Sequence, residues 1–209
     1  MLGISSGLMY GGGPVETAET SATAFRSTWV TTNAGSASNT IVLPLTGTDG
    51  LNFTVWWGDG TSSTITDATD NTQNTHQYEI AGTKEVAIEG VIGDRWAFSN
   101  GGDKLKITNV SNWGSFTTGD LVAGFQGCAN MACTATDSLT AGGNTLTYWF
   151  NGCSSIAAIN TSNWFPADSS VAGMDSTFYG CTSLVTVDAS SWDTSAWTYI
   201  RHCFRDCTA

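Results

Sequence analysis

Six cysteines, two histidines and a scatter of aspartates are the residues of this chain with chemistry to offer. A nucleophile needs a base within hydrogen-bond reach and a third group to orient that base. His76 and His202 are the available imidazoles, and no Ser or Cys stands in a strand-turn-helix setting beside either of them. Structural zinc calls for thiolate and imidazole ligands at short, paired spacings. Neither a Cys-x-x-Cys pair nor a histidine pair occurs, and His202 next to Cys203 does not complete one. Asp67, Asp70, Asp168 and Asp175 have oxygens for calcium, but their spacing follows no calcium-binding loop. The sequence therefore predicts a non-enzyme with no catalytic, cofactor-binding or metal-binding residues.

The cysteines instead mark a period. One phrase is written four times: Phe125-Gln-Gly-Cys128, Phe150-Asn-Gly-Cys153, Phe178-Tyr-Gly-Cys181 and, with Asp in place of Gly, Phe204-Arg-Asp-Cys207. The phenylalanines lie 25, 28 and 26 residues apart, and Leu139, Trp164 and Trp192 each follow one of them by 14 positions. Trp113 precedes Phe125 by 12 residues, as Trp192 precedes Phe204. Such a period belongs to solenoids, in which each unit hides its apolar edge against a neighbour. Within a unit, Ser155 to Ile159 and Ser183 to Val187 alternate as half-buried strands do, and Asp175 to Phe178 fits a helical or 3-10 turn before a glycine-cysteine corner. The ring and the thiol flanking each corner should point inward and stack on their equivalents. Cys128, Cys153 and Cys181 then form either a ladder of buried thiols or pairs close enough to oxidise, and Cys203 and Cys207 have the spacing for a local bridge.

The wording from Met174 to Ser195, with Phe178-Tyr-Gly-Cys181, Leu184-Val-Thr-Val187 and Ser191-Trp192, resembles the BspA-type leucine-rich repeat of bacterial surface proteins, mycoplasma lipoproteins and some phage virion proteins. The resemblance covers roughly residues 95–209 and implies a solenoid of short parallel strands used for adhesion or recognition. It departs at 128–148 and at Asn163 to Asp168, where longer loops are expected to bulge from the stack.

Before residue 90 the pattern changes to strands broken by turns. They are expected at Ala24 to Val30, Thr40 to Leu45, Asn52 to Trp57, Ser63 to Ile65, Thr75 to Tyr78 and Lys84 to Glu89, rich in Val, Ile, Thr, Phe and Trp. Gly58 and Gly60 suit a tight hairpin, Asp59 can accept from nearby backbone donors, and Tyr78 should give its ring to the core and its hydroxyl to an acceptor. Phe53 to Gly60, with Trp57-Gly-Asp59-Gly60, followed by His76-Gln-Tyr78 and Gly82, resembles the polycystic-kidney-disease-type immunoglobulin-like domain. The loop 61–74 between the two motifs carries no marker. Arg95 to Phe98 and Lys104 to Ile107 alternate and are placed as the first rungs of the solenoid.

The expected fold class is thus mostly β: a small antiparallel β-sandwich followed by a short leucine-rich-repeat-like solenoid with short helical or 3-10 turns. The expected divisions are an extended N-terminal arm over 1–23, the sandwich over 24–92 and the solenoid over 93–209, with a modest core for each folded part.

A formal charge of −11 with 7 basic residues speaks against nucleic acid and anionic membranes as partners, because no basic stripe exists to displace counterions. The first 24 residues have neither the basic start nor the apolar run of a signal peptide or membrane span. Their apolar members Leu2, Ile4, Leu8, Met9 and Tyr10 suggest an arm that orders against its own domain or a neighbouring subunit, and assembly with other virion proteins is the expectation. Nine tryptophans exceed what two small cores require, and aromatic rings among Asn and Asp can hold sugars or proteins. Trp56, Trp149, Trp164, Trp197, Tyr199 and Phe204 are therefore the candidate recognition or interface residues. Only Thr208 and Ala209 follow the fourth corner, leaving Trp197, Tyr199, Ile200 and Phe204 without later residues to cover them. Another chain or further sequence beyond Ala209 is expected to cover them, and the 195–209 surface is accordingly expected to be an interface, a homo-oligomeric one among the options. The functional expectation is a structural virion surface protein, a capsid decoration or tail-associated protein, presenting a solenoid to a host glycan or surface protein. A bacterial cell-surface or extracellular adhesin is the alternative, and an accessory module of a glycan-active enzyme is the more remote one.

Overall fold

The computed structural model describes residues 21–47, 51–92, 95–117, 122–141, 143, 145–165 and 171–209. The fold is mostly β, and among these residues one four-residue helix accompanies twelve short strands. The first part of the chain supplies β1 (Phe25–Val30), β2 (Thr40–Val42), β3 (Asn52–Trp56), β4 (Ser62–Ile65), α1 (Asn71–Asn74), β5 (Thr75–Gln77), β6 (Thr83–Val91) and β7 (Ile107–Asn112). Then follow β8 (Ala132–Cys133), β9 (Ala158–Ile159), β10 (Gly173–Asp175), β11 (Thr186–Val187) and β12 (Tyr199–Arg201).

Alternation decides the first sheet. Phe25, Ser27 and Trp29 of β1 and Phe53 and Val55 of β3 turn inward while their neighbours stay partly or fully exposed, as the two-residue period of a half-buried strand requires. The strands form a six-stranded sheet in the order β4-β3-β6-β1-β7-β8, and β2 pairs with β5 as a separate antiparallel ribbon. The central strand β1 is antiparallel to both β6 and β7, whereas β7 is parallel to β8. β7 is thus bonded on one edge to the sheet of the first part and on the other to the start of the repeats. The segment expected to hold the first repeat rungs is divided differently: Trp96 makes a lone bridge to Leu45, residues 103–106 turn, and the strand begins at Ile107. The stretch 128–148 does not simply bulge, since Ala132–Cys133 joins the large sheet and Met131 and Leu139 are buried.

Two separate cores were expected, but the buried apolar side chains form one main cluster from Phe25 to Cys203. Phe25 is the hinge of that continuity, with its ring 5.6 Å from Trp96, 5.9 Å from Trp113 and 4.8 Å from Phe116.

Beyond β7 the four corners stack. The rings of Phe125, Phe150, Phe178 and Phe204 lie face to face at successive spacings of 5.7, 5.6 and 5.5 Å, within 10° of parallel. Three backbone amides of each corner donate to carbonyls of the next. From the first, Ala123, Phe125 and Gly127 donate to Thr147, Trp149 and Asn151 at 3.0, 2.8 and 2.7 Å. From the second, Tyr148, Phe150 and Gly152 donate to Asp175, Thr177 and Tyr179 at 3.0, 2.9 and 2.8 Å. From the third, Ser176, Phe178 and Gly180 donate to Arg201, Cys203 and Arg205 at 2.8, 2.9 and 2.9 Å.

This one-sided row of donors needs positive φ on either side of the ring. Two positions before it stand Ala123, Tyr148, Ser176 and His202, with φ of 68°, 58°, 54° and 51°. Two positions after it stand Gly127, Gly152, Gly180 and Asp206, with φ of 79°, 75°, 72° and 60°. Asp175 closes β10 and Ser176 turns the chain, so of the helical or 3-10 turn expected there the structure has a single turn closed by the Tyr179 amide on the Ser176 carbonyl three residues back, at 3.2 Å. The strands of the repeat are also shorter than alternation suggested, two residues each in β9 and β11.

Candidate interaction surface

The in-phase cysteines are structural donors. The Cys153, Cys181 and Cys207 thiols donate to the carbonyls of Phe125, Phe150 and Phe178, each at 3.1 Å, so each of these three is spent on the corner before it. All six cysteines are free thiols. Burial pushes Cys128 and Cys153 well above the ordinary thiol value and raises Cys181 and Cys203 to about 12. A thiol in that range stays protonated at neutral pH, which suits it to donate a hydrogen bond and not to attack or to bind metal.

The Trp-Gly-Asp-Gly turn and the His-x-Tyr strand meet in space. The His76 ring stacks on Trp57 at 4.8 Å and 9°, and its Nε2 lies 2.7 Å from Asp59 Oδ2. Asp59 Oδ1 accepts from the Thr61 amide at 3.0 Å and its hydroxyl at 2.6 Å, while the Tyr78 hydroxyl donates to the Trp57 carbonyl at 2.9 Å. Burial works to raise the Asp59 carboxyl, but the hydrogen bonds from Thr61 and His76 outweigh it and hold the group at about 2. Lys84 Nζ sits over the Tyr78 ring, 4.5 Å from its centre. Gly58 is required here by both φ of 76° and the Glu85 carbonyl, which a side chain would strike. The Asp59 carboxylate, His76 Nε2 and the Tyr78 hydroxyl all hold the hairpin against β5.

A second polar knot was invisible in the sequence. Lys106 is fully buried, and its ammonium donates to the carbonyls of Ser36, Ala37 and Thr40 at 3.1, 2.8 and 2.7 Å and to the Ser36 hydroxyl at 2.8 Å. Asp103, 3.8 Å away, accepts from the amides of Ser36 and Val42 at 2.6 and 2.7 Å and from the Ser36 hydroxyl at 2.8 Å. Desolvation lowers the Lys106 pKa against the pull of Asp103. In the unmarked loop, Asp67-Ala-Thr69 and Asp70-Asn-Thr72 make successive aspartate-closed turns, and Asp70 caps α1 by accepting from the Thr72 amide at 2.8 Å. The repeated Asp-x-Thr spelling was the available signal.

The candidate recognition residues separate sharply. Trp149 and Trp164 are 1 % and 0 % exposed and cannot meet a partner. Trp149 fills the space that Gly124 leaves open, since a Cβ there would overlap its ring, and Trp164 lies beside the stacked Phe150 and Phe178, nearly parallel to both, with ring centres 5.8 and 5.5 Å away. Trp56 is half-buried against Ala24 and Ala87. Trp197 is half-buried against Phe165 and Trp192, with ring centres 4.8 and 5.9 Å away. Tyr199 is half-buried, its hydroxyl 3.0 Å from that of Thr145 and its ring under Arg201. Phe204 is 43 % exposed, where the three rings beneath it are at 0 %. With Val185 at 70 % and Ile200 at 54 %, it makes the last corner the apolar end of the described stack.

Residues 1–20 of the expected arm and Asp168 lie outside the described residues. Just after them, the hydroxyls of Ser21 and Thr23 both donate to Glu89 at 2.8 Å. Among the described residues, no group of three His, Cys, Asp or Glu side chains is placed to hold a metal ion, and no helix is long and apolar enough to cross a membrane. Comparison of the chain with protein-family models, curated proteins and solved structures finds no match.

Proposed function

We propose that this chain is a non-catalytic structural protein of a virion surface, a capsid decoration or tail-associated component. In this reading a small polycystic-kidney-disease-like sandwich (24–92) carries a short BspA-type, leucine-rich-repeat-like solenoid (93–209), the arm (1–23) docks on other virion proteins, and residues 195–209 form an interface. The solenoid is then available to a host glycan or surface protein. The observation that carries the proposal is the corner stack, in which repeated residues with chemical potential serve a backbone ladder: rings stack at about the same spacing and thiols donate to carbonyls. A repeat built in this way is a rigid display surface.

Deleting residues 1–20 tests the proposal in assembling particles. Both folded parts should keep their circular dichroism and melting behaviour while the protein disappears from purified particles. Undiminished incorporation would defeat the arm's role, and recovery of the intact protein on the cell envelope instead of the particle would favour an adhesin.

A further inference from the structure

The loop that leads into β2 turns its oxygens toward a single buried point. The carbonyls of Ser36, Ala37 and Thr40 and the Ser36 hydroxyl converge there, and Lys106 Nζ fills it at 3.1, 2.8, 2.7 and 2.8 Å. Asp103 supplies the countercharge from 3.8 Å, and both residues are buried. The frame around this point is held by bonds that do not involve the Lys106 side chain. The Thr40 amide donates to the Ala37 carbonyl at 2.9 Å, and the Ser36 hydroxyl lies 3.2 Å from the Thr40 carbonyl. Asp103 accepts from the amides of Ser36 and Val42 at 2.6 and 2.7 Å and from the Ser36 hydroxyl at 2.8 Å. Gly35 lets these parts close up, since with φ of 152° a Cβ there would strike the Asp103 carboxylate and crowd Lys106 Cε. The Val30 amide donates to the Lys106 carbonyl at 2.7 Å, so the lysine backbone is fixed at the end of β1 independently of its ammonium.

We propose that residues 35–40 and Asp103 form a preorganised receptor for a primary ammonium ion, with Lys106 as its tethered ligand. The oxygens set the ligand's chemistry. A primary ammonium has three N–H donors and no acceptor, and here it meets four oxygens with lone pairs to give and a carboxylate that answers its charge. A buried charge persists where it is both paired and hydrogen-bonded. A quaternary ammonium has the charge without the donors. A guanidinium spreads its donors over a rigid plane, whereas these acceptors close around one nitrogen. In the native chain the receptor fastens the loop before β2 to the residue that precedes Ile107, the first of β7. Because the frame places the acceptors, the receptor outlives its tether. Shortening Lys106 leaves a buried carboxylate and carbonyls in need of donors, a site that takes a free alkylammonium ion.

The test uses the full chain carrying Lys106→Ala, which lacks Cγ, Cδ, Cε and Nζ, and propylammonium chloride, whose three carbons and nitrogen replace them. The thermal midpoint of the variant should rise saturably, by about 3–6 °C when the ion is at ten times its dissociation constant. Tetramethylammonium chloride at equal concentration should leave it unchanged. Propylammonium should also leave unchanged the parent and Lys106→Met, whose uncharged side chain occupies the space of the stem. If Lys106→Ala is unfolded without added ion, the same titration is read as recovery of the native circular dichroism. A variant that neither gains stability nor refolds would overturn the proposal, and so would an equal rise with tetramethylammonium or in the parent, which marks a general salt effect. Equal rescue by potassium would overturn the need for N–H donors and make the loop a metal-cation site. Every readout is taken on the purified chain, so absence of the protein from virions would defeat only the virion assignment.

Discussion

At the scale of single residues, burial converts chemically able groups into fasteners. Lys106 is the strongest case, since its ammonium has exchanged water for three carbonyls and a hydroxyl and ties the loop before β2 to the turn before β7. Removing one partner from a buried pair leaves the other charge uncompensated, which costs about 3–5 kcal/mol. Lys106→Met should therefore lower the urea midpoint by an amount corresponding to that loss. A double variant, Asp103→Leu with Lys106→Met, should recover part of it, and a Lys106→Met protein as stable as the parent would show that the cage is incidental. None of this was legible beforehand, because the alternation Lys104-Leu-Lys-Ile107 reads as a repeat rung and gives no sign of a buried ammonium. The Trp-Gly-Asp-Gly and His-x-Tyr knot was legible because its glycines and Asp59 imply a turn chemistry before any contact is known. Trp149 and Trp164 misled in the other direction. The number of tryptophans suggested exposure, whereas the better signals were Trp164's position in phase with Trp192 and Trp149's position next to the ring of the second corner.

Elements in this chain are short, and their stability comes from what lies above and below them. A two-residue strand such as β9 or β11 would not persist alone, but each corner adds three amide bonds, a stacked ring and a thiol bond to its neighbour. Phe178 is buried between Phe150, Trp164 and Phe204. Phe178→Ala should cost about 3–5 kcal/mol, as core aromatic truncations do. Native-state hydrogen exchange should show the loss in the amides of the corners on both sides, those of Phe150 and Arg205. A loss confined to the mutated turn would argue that the units are energetically separate. Repetition made the corners readable, because four copies of one phrase fix phase where a single copy would not. The same logic could not reveal β10 and β12: Gly173-Met-Asp175 and Tyr199-Ile-Arg201 share no spelling, and only their parallel register joins them.

The whole molecule turns on β7. Its Ile107 and Val110 are fully buried; Ile107 pairs with Trp29 and Val110 with Ser27 on one side, and Val110 pairs with Cys133 on the other. Composition shifts from strand-rich to repeat-rich across residues 91–112, which invites a boundary there, but hydrogen bonding runs straight through it and the main core cluster does not divide. Two opposing tendencies follow. A stack of units held mainly by nearest neighbours can open from its free end, whereas a shared central strand forces the sheet and the first corner to unfold together. The bonds on both edges of β7 should win near the sheet and lose toward the fourth corner. Ile107→Ala, a core truncation of about 2–5 kcal/mol, tests the balance. The amides of Val55, Ile88 and Phe125 should lose protection by the same amount in native-state exchange, as members of one cooperative unit, and the amides of Gly180 and Arg205 by less, because they already open locally from the end. If Val55 and Ile88 kept their protection while Phe125 lost its own, the two parts would be independent domains that merely touch at β7.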